Sequence, residues 1–459
     1  MRHLGLRKHL QFHSTLAAAV FLLSATLATA DDWPQWRGTD RDGVWHETGL
    51  IDKFDGDQIE HKWSVEISNG YSGPTVADGR VYVTDRMVEP KQIERVLCFN
   101  AETGEAIWKH EYECTYKTIG YGDGPRSSVT VADGRAFAFG SMGHFFAFDA
   151  ATGEVLWKKE PDTDYKIPLP IWGMVAAPLV DGDNVIVQMG AKDGACVVAL
   201  DIETGEERWR AIDDKASYSP PIIVEQGDDR VLICWTGNAI HGLDPATGNV
   251  HWTTVTEPEK VTINIAQPIV DGDRMFLTAF YDGAYMIRLD QEKPAIETLW
   301  RRVGRSERKT DALHSINSTP MIIGNYIYGV DSYGELRCLD VKTGDRVWED
   351  LTAVPRARWA TIHMVQNGDK TWMFNEQGEL TIAELTPEGY NEISRAKLIN
   401  PTDGQYTGTF SAVKKSEDDD VKKPITNNTG VTWSHPAYAN KHVFIRNDTH
   451  LVCADLSAK

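Results

Sequence analysis

The chain has 459 residues with a formal net charge of −20, and 41% of its residues are hydrophobic. An acidic balance of this size repels phosphate backbones and anionic headgroups, so it disfavours nucleic acid and anionic membrane surfaces as partners. It says little about any other ligand, because many secreted proteins are acidic.

The first 30 residues read as a signal peptide. Arg2, Arg7 and Lys8 form a positive start, residues 16–27 (LAAAVFLLSATL) an apolar stretch, and Ala28-Thr29-Ala30 a small-x-small cleavage site. The apolar stretch is too short and too rich in small residues for a retained membrane span. No cysteine lies near the cleavage point, so no lipid anchor is expected. The reading is a soluble, exported chain, periplasmic or extracellular, that begins at Asp31 and carries an N-terminal extension over 31–58.

From residue 59 onward the chain repeats itself. Trp63, Trp108, Trp157, Trp209, Trp252, Trp300 and Trp348 recur every 43 to 52 residues, and most close a shared phrase: NAETGEAIW, DAATGEVLW, DIETGEERW, DPATGNVHW, DVKTGDRVW. A fixed period in this range marks a repeat architecture. Each copy opens with a short apolar strand, as in GPTVADGRVYV (73–83) and APLVDGDNVIV (177–187). The Asp-Gly pairs at 78–79, 133–134, 181–182 and 271–272 are strong hairpin signals, since tight primed turns need positive φ. A third strand leads to the Asp-x-x-Thr-Gly turn, and a fourth carries the tryptophan. Four antiparallel strands per copy make a propeller blade.

Eight copies are expected over 59–456, with cores near 71–111, 125–160, 172–212, 217–255, 264–302, 315–350, 358–395 and 431–456. The fifth loses the Thr-Gly phrase. The seventh is the most degenerate, with Ile393 in the tryptophan slot. The eighth stops before a fourth strand, while IEHKWSVEI (59–67) is a fourth strand without a blade. Pairing the two closes the ring and removes two open sheet edges. The fold class is therefore an all-β, eight-bladed propeller of four-stranded antiparallel blades, closed by an N-terminal strand.

The turn aspartates Asp149, Asp201, Asp244 and Asp340 suit local backbone hydrogen bonding better than catalysis. The seven tryptophans are assigned to docking between blades, where a large ring buries area and its N–H finds a carbonyl. Cys98, Cys338 and Cys453 share a slot held elsewhere by Ala147, Ala199 or Gly242, so they read as buried structural thiols. Bridges involving Cys114, Cys196 or Cys234 stay open.

Function is sought where the copies differ. The short repeated turns lie on one face. The opposite face carries long irregular segments: 113–126, 161–172, 302–315 and 400–431. Loops on a rigid scaffold commonly carry binding residues. First strands begin on that face near the axis, at Tyr71, Arg126, Trp172, Tyr218, Asn264, His314, Asn317, Arg358, Trp359, Trp433 and His435. From these, Arg126, Trp172, Tyr218, Asn264, His314, Arg358, Trp359 and His435 are assigned to a funnel for a planar or anionic ligand. The bland alternative is that they plug the channel. His314 and His435 lack the paired spacing of a metal site, so no metal ligand and no catalytic residue are assigned. The stretch 413–423 (VKKSEDDDVKK) reads as a loop tip. The sequons at Asn317 and Asn447 read as accidental.

The A-x-D-x-x-T-G-x-x-x-W phrase resembles that of the pyrroloquinoline-quinone-like β-propeller family over about 60–456. The mature start DDWPQWRGTDRDGV is also similar to exported quinone-binding-like propellers. That family has an enzymatic branch of quinoprotein alcohol dehydrogenases, and a non-enzymatic branch around the outer-membrane protein assembly lipoprotein. The resemblance implies cysteine pairs and added loops for the first branch and a lipid-bearing cysteine for the second. This chain has neither a Cys-Cys pair, nor a C-x-x-C-H haem motif, nor that cysteine. The resulting expectation is an exported, monomeric, non-enzymatic scaffold that binds a protein or small ligand on the long-loop face and carries no cofactor. The alternative is a dehydrogenase oxidising an alcohol or sugar with pyrroloquinoline quinone and Ca²⁺.

Overall fold

A computed structural model describes Met1 and residues 31–161, 163–256, 258, 260–402 and 430–459. Apart from Met1, the signal-peptide assignment falls outside these residues, as does the charged stretch 413–423. Among the described residues no helix is long and apolar enough to cross a membrane.

Among the described residues, thirty-two strands form eight four-stranded antiparallel sheets. Middle strands such as Asn184–Ala191 are buried along their whole length, being covered on both faces by neighbouring blades. Outer strands such as Ala106–Glu113 alternate between half-buried and exposed positions. At the hairpins, Asp78-Gly79 and Asp133-Gly134 place both residues at positive φ, the geometry that matches strand twist. In the phrase turn, Asp149 Oδ1 accepts from the backbone N–H of Ala151 (3.0 Å) and Thr152 (2.8 Å) and from the Thr152 hydroxyl (2.9 Å). That use of the carboxylate is structural.

The tryptophans join each blade to the next. The indole N–H of Trp63 donates to Ala101 O (2.9 Å), Trp108 to Ala150 O (3.0 Å), Trp157 to Ile202 O (3.1 Å) and Trp209 to Pro245 O (3.1 Å). Each acceptor follows the first residue of the next blade's turn phrase. Trp300 and Trp348 likewise reach Val341 O and Thr386 O. The glycine of the same turn lies flat on the ring. A Cβ on Gly153 would sit 2.5 Å from the Trp108 ring, and one on Gly205 2.6 Å from Trp157, both at positive φ. Only glycine satisfies both demands. The residue paired across from the tryptophan is small in most blades: Cys98 faces Trp108, Ala147 faces Trp157, Gly242 faces Trp252 and Cys453 faces Trp63, while Met286 faces Trp300. All six cysteines are free and buried. Burial pushes the Cys98 thiol up to about 12, which leaves it inert.

Trp252 departs from this pattern because blade 5 lacks the phrase. Its N–H turns to Gln226 Oε1 (3.0 Å) within its own blade, and the Gln226 amide donates onward to Ala295 O (2.6 Å) of blade 5. A side-chain amide has replaced the missing turn carbonyl.

The ring closes where strand Trp63–Glu66 pairs with His450–Asp455, in the register Trp63–Cys453 to Glu66–His450. The path leading there carries more than the sequence suggested. Residues 33–45 cross the axis at the short-turn end, and Trp33 pairs with Val76 of blade 1. Pro34 O accepts from Val131 of blade 2. The Arg41 guanidinium donates to Pro178 O of blade 3 and Pro221 O (3.0 Å) of blade 4, and Gln267 of blade 5 donates back to Arg41 O (2.6 Å). The segment then leaves between blades 7 and 8, where Trp45 packs on Trp372 and Tyr438. It is an axial plug continuous with the closing strand.

This path also corrects the tryptophan slot of blade 7. Ile382 pairs with Ser394 and Ala383 with Glu392, so Ile393 is the bulged residue, equivalent to exposed Ile107, Leu156 and Val347. Ser394 holds the slot. Its hydroxyl accepts from Phe54 N (2.9 Å), and the Phe54 ring packs on Trp372. The incoming chain fills the space that a tryptophan fills elsewhere.

These contacts set measurable stabilities. Trp157→Ala should cost roughly 3–5 kcal/mol, whereas Ile393→Ala should stay within about 0.5 kcal/mol, as read by denaturant unfolding. Arg41→Met leaves the buried Pro221 carbonyl without its donor, while Pro178 O keeps the Thr130 hydroxyl, and should cost on the order of 1–3 kcal/mol. An unfolding midpoint unchanged from wild type would show that the plug is not fastened through Arg41.

Candidate functional site

Above the plug, on the long-loop side, the axis opens into a cavity of about 150 Å³ walled mostly by rings. Trp172 leans on Tyr218 (centroids 5.2 Å). Tyr121 meets both Trp359 and Trp433 edge to face at 5.7 Å, and Tyr71 stacks near Trp433 at 6.4 Å. The floor is Trp36 of the plug, edge-on to His435 at 4.4 Å, with His363 beside it. The cup is thus built from the openings of several inner strands and from the plug.

Of the eight assigned residues, Arg126, Trp172, Tyr218, Trp359 and His435 line this cup. Three do not. Asn264 is buried, with its amide donating to Thr236 O (3.1 Å) and its carbonyl accepting from Tyr218 N (3.1 Å), so it sets the Tyr218 backbone. Both ring nitrogens of His314 are engaged, with Phe280 O and Gly304 N at 3.0 Å each, which pins the 302–315 segment. Arg358 pairs with Glu307 (2.8 Å) and lies over the Trp359 ring, propping that wall from outside. Each of these side chains is spent on its neighbours. Tyr71, Asn317 and Trp433 are legible in the sequence as strand openings. Trp36, Tyr121, Val175, Ile265, Ile316 and His363 are not. Trp36 arrives with the plug, whose path no local pattern discloses, and His363 lies inside an apolar strand sequence.

Arg126 is held by neutral acceptors. One terminal nitrogen donates to Gly124 O (2.9 Å) and Ser141 Oγ (3.3 Å), the other to Gly120 O (2.7 Å) and Tyr121 O. Its plane lies over the Tyr71 ring at 4.9 Å. Behind Ser141 sits Glu94, wholly buried, accepting from the hydroxyls of Tyr112 and Tyr116 and from Ser141 N (3.2 Å). Ser141 Oγ and the Tyr116 hydroxyl are 3.0 Å apart, so the guanidinium and the carboxylate are linked through hydroxyls rather than directly.

The two floor histidines are neutral. Burial lowers His363 to about 4 and, with His363 alongside, His435 to about 3. His363 Nε2 lies 2.8 Å from Trp433 O, a partner that can only accept, so Nδ1 carries the lone pair. His435 Nε2 meets Ser128 Oγ at 2.7 Å.

Two features lie at the plug's other side. A larger, more polar gap of about 270 Å³ opens between the plug and blades 4–6. Asp40, Asp42 and His46 bring ligand atoms within 4.8 Å of one another, an exposed grouping of a kind common without an ion. The sequence pattern marks none of the three as a metal ligand, and the trio is assigned no function.

Known proteins share the ring far more closely than they share its residues. A family profile described as outer membrane protein assembly factor BamB matches residues 92–350. The Yersinia pestis protein of that name is 22% identical over 260 residues, which is 50% of this chain and 62% of the relative. The chain spans only 40% to 62% of the length of the curated relatives it matches. Among solved structures, BamB from Moraxella catarrhalis superposes with a TM-score of 0.58 at 16% identity, covering 87% of this chain and 98% of that one. The quinohemoprotein alcohol dehydrogenase from Comamonas testosteroni gives 0.59 at 14% identity, covering 93% and 81%. At such identities these likenesses concern the fold alone.

The floor histidines make stability pH-dependent. Their folded values lie below the unfolded value of 6.5, so the unfolded chain binds more protons between these limits. Their contribution is complete above pH 6.5 and is lost as pH falls toward 4 and then 3. For His363 the loss is on the order of 3 kcal/mol. Unfolding midpoints measured from pH 7 to pH 4 should fall, and His363→Asn should flatten that slope. A slope identical in the variant would place the acid sensitivity elsewhere.

Proposed function

We propose, for a chain that belongs to the outer membrane protein assembly factor BamB family of β-propellers, that it works as an exported, non-enzymatic binding scaffold through its long-loop face. The observation that carries this reading is the contrast between the two faces. One is closed at the axis by residues 33–45 and otherwise bears repeated turns, while the other presents copy-specific aromatic residues around an open cup. In this reading residues 1–30 direct export and are removed, residues 31–58 are the plug and its exit, and residues 59–456 are a monomeric ring outside the cytoplasm.

Pyrroloquinoline quinone with Ca²⁺, the cofactor of the dehydrogenase branch, does not fit the residues present. A cavity of about 150 Å³ is below the roughly 300–1,000 Å³ of ordinary cofactor pockets. Its lining also lacks carboxylates among the described residues, whereas Ca²⁺ takes about 6–8 oxygen ligands. The cup therefore reads as a place to bind, and no electron-transfer role is assigned to it.

The test places a photo-crosslinking residue at exposed Ile171 or Lys117 on the long-loop face, and at Asp271 or Gly324 in the short turns, in the producing cell. Discrete crosslinked protein bands are expected from the first pair alone. Crosslinks from the short turns only would move the interface. Oxidation of an alcohol or sugar dependent on added quinone and Ca²⁺ would overturn the non-enzymatic reading.

A further inference from the structure

The axial cup combines three properties that together specify a ligand chemistry. It is apolar and aromatic on nearly all sides, with Trp172, Tyr218, Trp359 and Trp433 presenting ring faces and edges. Its volume of about 150 Å³ matches that at which an apolar protein cavity takes up one benzene ring. At its wall stands one fixed guanidinium, Arg126, whose terminal nitrogens are saturated by neutral oxygens. None of these four bonds uses its Nε–H. The nearest anions are engaged elsewhere: Asp123 accepts from the Tyr71 hydroxyl at 2.9 Å, and the Glu94 oxygens are filled by Tyr112, Tyr116 and Ser141 N. His363 and His435 bring polarity to the floor without charge at neutral pH. Among the described residues the cup therefore offers room for one ring and a single positive charge.

From this geometry we propose that the axial cup binds a single aromatic ring bearing one carboxylate, with the ring among Trp172, Tyr218, Trp359 and Trp433 and the carboxylate on Arg126. The ring gains from edge and face contacts with surrounding aromatics. The carboxylate gains a charge-assisted hydrogen bond to Nε in partly desolvated surroundings. A fused multi-ring acid exceeds the volume, and a dianion exceeds the charge. The same chemistry is available from a free aromatic acid or from the C-terminal aromatic residue of a polypeptide. The inference does not rest on the scaffold reading, since a small acid can occupy the cup whether or not a protein docks around it.

Calorimetric titration of the whole protein tests it with 3-phenylpropionate, its neutral amide 3-phenylpropionamide, and the peptide Gly-Ser-Gly-Ser-Phe with a free or an amidated C-terminus. The acid is expected to bind at least tenfold more tightly than the amide, with that preference falling as salt rises. Arg126→Gln should remove the preference of acid over amide, and Arg126→Lys should restore part of it. Should Arg126→Gln fail to fold, the acid-to-amide ratio and its salt dependence in the native protein decide alone. Binding of the free acid but neither peptide identifies a small molecule as the source, and binding of the free-ended peptide identifies a chain terminus. Equal affinity for acid and amide, or no binding of any of the four, overturns the proposal, and the crosslinking outcome for the long-loop face is unaffected either way.

Discussion

Everything in this molecule depends on an indole lying against a glycine of the next blade. The contact is demanding on both sides. The ring must reach a carbonyl one residue beyond the start of the neighbouring turn, as Trp157 does at Ile202. The glycine must be in the left-handed region so that the turn can pass over the ring face, as Gly205 does over Trp157. The residue paired across from six of the seven tryptophans is small, which leaves room for the indole to tilt toward the next blade, and the unbranched Met286 fills that position opposite Trp300. Seven buried clusters follow the seams between blades, and six of them contain one docking tryptophan each. The seventh is the largest and joins blades 7, 8 and 1 with Trp33 and Trp45 of the plug. A ring assembled this way is rigid at the seams, so loops projecting from it hold fixed positions.

The exceptions show how the constraint can be met by other means. At the seam between blades 4 and 5 the turn phrase is gone, and Gln226 relays the tryptophan N–H to the neighbouring blade with its own amide. At the seam between blades 7 and 8 the tryptophan is gone, and Phe54 and Trp45 supply aromatic area from a segment far away in sequence. In both places a polar group that would otherwise be buried alone has found a partner. The degeneracy of blade 7 is thus a consequence of the chain's route, which passes through that seam and needs the room.

What the sequence disclosed follows the reach of local chemistry. The period, the turns, the eight sheets and the pairing of Trp63 with the last blade could be read because each rests on a motif or on a count of strands. The slot at Ile393 was misplaced by one residue because a bulge precedes six of the seven docking tryptophans and the equivalent Ser394, and a bulge leaves no mark on hydrophobic alternation. At the cup, Arg126, Trp172, Tyr218, Trp359 and His435 could be placed by their position at strand openings. Asn264, His314 and Arg358 share that position, but their partners, Thr236, Phe280 and Glu307, are set by folds of loops that composition does not encode. Trp36 could not be anticipated, because only the three-dimensional path brings residues 33–45 to the axis.

The closing pair joins the first strand of the ring to its last, with Trp63 opposite Cys453. Such a seam sets a timetable. During synthesis, residues 63–66 emerge before any blade, yet the strand that receives them, 450–455, emerges at the very end, so the closing strand must wait unpaired while seven blades are made. Loop-closure entropy over so long a span grows only slowly with length, but it must be met before the seam rewards it. The six central seams are between sequence neighbours and can form as each blade appears. The plug and the closing strand therefore act as a completion lock: they report that the whole chain has arrived, and a chain cut short within its last blade has nowhere to seat its own beginning.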